Sequence, residues 1–121
     1  MIMKNAFPQP DMRRSEWLNL NGEWDFSLDS PVYDKKINVP YPWGSPLSGI
    51  EDDKNGTGYY RRVVRWSPKG GHVFLIFGAV DYDCVVRVNG KELGSHRGGY
   101  ARFEFDVTDI WDRSGDNTIE V

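Results

Sequence analysis

Hydrophobic positions recur with a period of two over most of the chain, and helical spacing is scarce. Between Glu23 and Leu28, Trp24, Phe26 and Leu28 alternate with Glu23, Asp25 and Ser27, which predicts a half-buried strand broken by Asp29-Ser30-Pro31. Tyr59 to Trp66 reads as another strand, stopped by Ser67-Pro68-Lys69-Gly70-Gly71. His72 to Ala79 (HVFLIFGA) is almost continuously apolar, the pattern of a strand buried on both faces or lying at the centre of a sandwich. Val86 and Val88 share one face and Arg87 takes the other. Asn89-Gly90, which suits the two positive φ angles of a type I′ turn, then sends the chain back through Lys91 to Gly94. After a second turn at Gly98-Gly99, Arg102, Glu104 and Asp106 alternate with Phe103, Phe105 and Val107, and Ile119 and Val121 close the pattern. Thr108-Asp109-Ile110-Trp111 predicts one helical turn with Thr108 as N-cap. The fold class expected is all-β and antiparallel.

Two stretches escape the alternation. Residues 1–16 are polar and contain proline, so they read as an N-terminal arm, anchored by Trp17 and Leu20, ahead of a β-domain over 17–121. Tyr41 to Gly58 (YPWGSPLSGIEDDKNGTG) is too long for an ordinary hairpin and reads as a functional loop or a disordered one. Composition agrees with short strands and tight turns: 17 of 121 residues are aromatic, and Gly and Pro together number 20. A length of 121 residues accommodates one domain and excludes a catalytic (β/α) barrel, which alone needs about 250 residues.

Charge narrows the partners. The net charge of −3 argues against a nucleic-acid binder, since phosphate backbones are met by a clustered basic excess, and Arg61-Arg62 must point to opposite faces of their strand. The sequence contains neither an apolar run long enough to cross a membrane nor the apolar centre of a secretory signal, so a soluble chain is expected, with cytoplasm and periplasm both open. A single Cys84 cannot form an internal disulfide and reads as a small core residue. His72 and His96 have no metal-ligand spacing, no metal is expected, and no glycine-rich phosphate loop or other cofactor motif is present.

Residues 78–107, GAVDYDCVVRVNGKELGSHRGGYARFEFDV, carry a resemblance. Gly78, Asp81, Tyr82, Val86, Val88, Asn89, Gly90, Gly94, His96, Gly98, Gly99, Tyr100, Phe103, Phe105, Asp106, Val107 and Thr108 stand in the places of a recurring pattern. Leu20-Asn21-Gly22-Glu23-Trp24-Asp25-Phe26, Val39-Pro40 to Trp43, Tyr59-Tyr60-Arg61-Arg62 and Gly115-Asp116-Asn117 bracket it in order. The chain resembles, over Arg14 to Val121, the amino-terminal domain of family 2 glycoside hydrolases, the β-galactosidases, β-glucuronidases and β-mannosidases. The resemblance implies an antiparallel β-sandwich of jelly-roll type. The family pattern continues beyond the position of Val121, so the last strand or strands are unaccounted for, and a sheet edge open to another chain is expected.

What the resemblance implies for chemistry is binding rather than turnover. Retaining glycosidases use two carboxylates about 5–5.5 Å apart, and in this family both belong to the barrel. Asp52-Asp53 reads as solvated loop charge, and Asp81 with Asp83 as structural hydrogen bonding at a strand start. Asn55-Gly56-Thr57-Gly58 resembles the loop by which some family β-galactosidases lend an asparagine to the rim of the sugar pocket; simple turn chemistry is the competing reading. Sugar rings stack their C–H faces on aromatic side chains while amides and carboxylates take the hydroxyls. Trp43, Asp81, Tyr82, His96 and Tyr100 therefore join Asn55 as candidate sugar contacts, with Tyr41 and Trp111 as further loop aromatics, each also placed where packing would use it.

The expectation is thus a non-catalytic carbohydrate-binding accessory domain of a family 2 enzyme acting on a terminal β-glycoside, a galactoside or glucuronide. Its partners would be carbohydrate and either the catalytic barrel of a parent chain or another copy of itself. A stand-alone carbohydrate-binding module or a purely oligomerising sandwich are the alternatives.

Overall fold

A computed structural model describes residues 2–6, 16–39, 46–50, 56–69, 71–78, 83–97 and 102–121. These residues form ten strands: β1 (Ile2–Ala6), β2 (Glu16–Asn19), β3 (Gly22–Leu28), β4 (Lys35–Val39), β5 (Gly58–Arg65), β6 (His72–Phe77), β7 (Asp83–Val88), β8 (Lys91–Arg97), β9 (Phe103–Asp106) and β10 (Asp116–Glu120), with one 3-10 turn at Pro46–Ser48. A four-stranded sheet has the order β2-β1-β6-β9 and a six-stranded sheet the order β4-β3-β5-β10-β7-β8, all pairs antiparallel.

Alternation along each strand sends one set of side chains between the sheets. Val73, Leu75, Phe77 and Val107 meet Trp24, Phe26, Ile37, Val64, Val86, Val88 and Ile119 there, all buried. Phe77 stacks on Phe103 at 4.8 Å, and Phe26 meets Tyr60 edge-on at 5.0 Å. The two buried indoles keep their N–H groups satisfied: Trp24 Nε1 donates to Leu20 O at 2.7 Å and Trp111 Nε1 to Trp66 O at 3.0 Å. The apolar run is β6, an internal strand; Val73, Leu75 and Phe77 point inward and are buried, and of the outward residues Ile76 is buried, Phe74 half-buried and His72 exposed, so the outer face is covered only in part.

Three features depart from the sequence pattern. The segment over 1–16, read as an arm, contributes β1 between β2 and β6, its backbone groups paired on both sides. The closing strand β10 is not at an edge, since β5 and β7 flank it; the outer strands are β2, β9, β4 and β8. The turn after β9 does form, with Ile110 N and Trp111 N both donating to Val107 O, but Asp106 caps it rather than Thr108. The Asp106 carboxylate accepts from Thr108 N at 3.0 Å, and the Thr108 hydroxyl accepts from Val73 N at 3.0 Å.

Candidate functional site

The candidate sugar contacts fall largely in loops. Asn55, Trp43, Asp81, Tyr82 and Tyr100 lie outside the described residues, as does Tyr41; His96 occupies β8 opposite Cys84, its side chain likewise outside. The strands that lead into those loops are described, and their register decides which loops leave together. Gly58 at the start of β5 pairs with Leu28 at the end of β3, and Glu120 near the end of β10 lies between Arg61 of β5 and Arg87 of β7. Asp83 at the start of β7 pairs with Arg97 at the end of β8, and Arg97 Nε donates to the Asp83 carboxylate at 3.0 Å. The strand ends flanking Asn55, Asp81-Tyr82 and His96–Tyr100 therefore all sit at one end of the six-stranded sheet. Val39, from which the chain runs toward Trp43, pairs with Gly22 at the opposite end.

At the shared end the root of the Asn55 loop is tied down. Asp29, held at φ 64°, donates its N–H to Thr57 O at 2.7 Å and accepts from Thr57 N on its carboxylate at 3.3 Å. A side chain at Gly56 would run into that carboxylate and oblige it to swing aside from Thr57 N. Tyr33, also at positive φ, closes the turn between β3 and β4 over the outer face: its ring covers the Arg61 guanidinium at 4.2 Å, and its hydroxyl donates to Glu120 at 3.2 Å. Burial, with the Glu120 charge adding to it, raises the Tyr33 hydroxyl above its ordinary pKa.

Sequence reading missed the feature that dominates this outer face. Lys36, Asp25, Arg61, Glu120, Arg87 and Glu92 lie opposite one another in a single transverse row across β4, β3, β5, β10, β7 and β8, with the sign of charge alternating at every step. Lys36 Nζ donates to Asp25, Arg61 Nε and Nη2 donate to the same carboxylate at 3.3 Å, and Arg87 donates to Glu92 at 3.1 Å. The Lys36 hydrogen bond, seconded by Arg61, holds the Asp25 carboxyl below its ordinary value despite some burial. Charged residues at period two within each strand were the available signal; their pairing depends on register.

Two motif asparagines prove structural. Asn89, at φ 53° beside Gly90 at φ 80°, makes the expected turn. Its amide donates to Ile110 O at 2.8 Å and to Asn117 Oδ1 at 2.9 Å, and its Oδ1 accepts from Thr118 N. Asn117 is fully buried, donating to Asp112 O at 2.8 Å and accepting from Asp112 N at 2.7 Å. Trp111 is a packing residue, its ring edge-on to Trp66 at 6.4 Å. Cys84 is half-buried against the core.

The described carboxyls with shifted pKa are all shifted away from acid catalysis. Asp112 is lowered by hydrogen bonds from Ser114 N and Oγ. Burial pushes Asp106 up, but hydrogen bonds from Thr108 and the nearby His72 outweigh it and leave it lowered. A general acid working near neutrality needs the opposite shift. Among the described residues no group of three His, Cys, Asp or Glu is placed to hold a metal ion, and no helix is long and apolar enough to cross a membrane.

Comparison with known proteins agrees with this architecture. The family model described as glycosyl hydrolases family 2, sugar binding domain, matches residues 3–121. A β-glucuronidase of Bacteroides fragilis is 33% identical over 108 residues, covering 84% of this chain and 16% of that protein. A β-galactosidase of Thermoanaerobacter pseudethanolicus is 38% identical over 61 residues, 49% of this chain and 8% of the relative. The solved structure of Faecalibacterium prausnitzii β-glucuronidase superimposes with a TM-score of 0.71 at 27% identity, covering 85% of this chain and 20% of that one. The chain thus spans about a sixth to a fifth of the length of the β-glucuronidases it matches.

Proposed function

Since this chain belongs to the sugar-binding domain family of the family 2 glycosyl hydrolases, we propose that it serves a longer β-glycosidase as its non-catalytic accessory domain, lending one wall to the sugar pocket. A β-glucuronide is the substrate class of the parent, ahead of a β-galactoside, because the relative of the former name is 33% identical over 84% of this chain whereas one of the latter name is 26% identical over 84%. The partners are carbohydrate and the catalytic barrel of the parent chain; a second copy pairs, if at all, along an outer strand.

The observation that carries the reading is the convergence of strand ends. The strands flanking Asn55, Asp81-Tyr82 and His96–Tyr100 end together beside the Asp29–Thr57 clamp, which supports a shared site drawing an amide, a carboxylate, an imidazole and two phenol rings from neighbouring stretches of the sequence. That is the mixture a pyranose needs: aromatic faces for its C–H surface and polar groups for its hydroxyls. Trp43 belongs to the same site only if its loop crosses from the far end of the sheet.

The test is a titration of isotopically labelled chain with D-glucuronate and D-galactose, followed by NMR, alongside an assay on aryl β-glycosides. Saturable shifts with glucuronate that weaken about tenfold in Asn55→Ala, with no turnover, support the reading. Turnover by rigorously purified chain, or shifts indifferent to Asn55→Ala, would overturn it.

A further inference from the structure

At the shared end of the six-stranded sheet the last rungs are Asp29–Thr57 and Asp83–Arg97. Leu28 lies opposite Gly58, and one step further the Asp29 N–H donates to Thr57 O at 2.7 Å, so Thr57 continues the ladder of β3 and β5 although it lies just outside β5. The return bond of that rung is made by a side chain rather than a carbonyl. With Asp29 at φ 64°, its carboxylate accepts from Thr57 N at 3.3 Å.

The turn that presents Asp29 is strained and firmly tied. Residues 29–34 include two non-glycine residues in the left-handed region, Asp29 and Tyr33, and such conformations persist only where their surroundings hold them. Ser27, fully buried, donates its hydroxyl to Ser30 O within the turn. The Tyr33 ring covers the Arg61 guanidinium at 4.2 Å, and its hydroxyl donates to Glu120 at 3.2 Å. Anchored on β3, β5 and β10, the turn holds the Asp29 carboxylate in place against Thr57 N.

Among the side chains of these rungs, Thr57 stands apart. Arg97 Nε donates to the Asp83 carboxylate, and the Asp29 carboxylate is engaged by Thr57 N, so all three of those side chains are used within the sheet. The Thr57 side chain is exposed, and its hydroxyl makes no hydrogen bond among the described residues. A hydroxyl donates and accepts at once, as a sugar hydroxyl opposite it requires. Because the Thr57 backbone is held on both its N–H and its C=O, little further ordering is needed when a ligand arrives. Resting on the function proposed above, we propose that Thr57 is a further sugar-contact residue, offering its hydroxyl to a hydroxyl of the ring, and that Asp29 is the positioning residue that fixes it.

The experiment titrates the 121-residue chain with D-glucuronate, followed by NMR, and repeats the titration in Thr57→Val, Asp29→Gly and Asp29→Asn. Valine keeps the shape and backbone of threonine without the hydroxyl; glycine accepts φ 64° without the carboxylate; asparagine restores an acceptor. The expected result is binding about fivefold weaker in Thr57→Val at an unchanged melting temperature, similarly weakened in Asp29→Gly, and restored in Asp29→Asn. Thr57→Val and Asp29→Gly combined should bind little more weakly than Thr57→Val alone, since a positioning residue acts through what it positions. Binding unaffected by Thr57→Val, or fully additive losses in the combined variant, would overturn the proposal. Glucuronate binding that responds to Asn55→Ala but not to Thr57→Val overturns this proposal and leaves the preceding one standing, whereas no binding by the unaltered chain overturns both.

Discussion

Asn117 shows how much a single buried amide carries. It joins the segment after β9 to the middle of the six-stranded sheet, and truncation takes their Asn117 partner from Asp112 N and Asp112 O and removes one of the two acceptors of the Asn89 amide. Asn117→Ala should therefore cost about 3 kcal/mol, measured as a lowered urea midpoint with unchanged slope. Gly56→Ala forces a methyl group against the Asp29 carboxylate and should cost about 1–2 kcal/mol in the same assay. Asn89-Gly90 was legible as a turn because two adjacent positive φ angles are a local demand. The tie from Asn89 to Asn117, 28 residues away, was not, because nothing local announces it.

At the scale of elements, the alternating charge row ties β4, β3 and β5 through Lys36, Asp25 and Arg61, and β7 to β8 through Arg87 and Glu92. Asp25, gripped by Lys36 and Arg61, titrates below the ordinary carboxylate value of 3.8 in the folded state. A depressed folded-state pKa contributes stability at pH values above the unfolded one and loses it as pH falls through the folded one. Acid unfolding should accordingly steepen below about pH 4, and Asp25→Asn should lower stability at pH 7 while flattening that acid limb, as read from denaturant midpoints across pH. Tyr60 presents the opposite case: burial pushes its hydroxyl up to about 12, so it stays neutral through the physiological range and acts as an apolar ring against Phe26. The strands carrying these residues were readable from alternation in Glu23–Leu28 and Tyr59–Trp66. β1, β2 and β4 were not, being short, with too few apolar positions each to set up an alternation.

Across the whole molecule, the sandwich depends on contact between sheets. Gly94, at φ 152°, leaves room for the Phe105 ring of the opposite sheet, which a Cβ would approach to 3.4 Å. Gly94→Val combines backbone strain with that approach and should lower the melting temperature by several degrees. Removing residues 1–6 takes β1 from between β2 and β6, and cooperative thermal unfolding by calorimetry should be lost.

The sequence by itself determined the all-β class, the hairpin at Asn89-Gly90, the central place of the β6 run and the family, because alternation, turn chemistry and spaced glycines are local signals that survive without coordinates. Which strand ends share an end of the sheet, that β10 lies inside rather than at an edge, and that one outer face carries a row of alternating charge while the other exposes Trp17 were decided by the tertiary structure alone. Strand order and register are long-range choices, set by packing one sheet on the other, and a one-dimensional pattern fixes which face a side chain occupies but not what lies beside it.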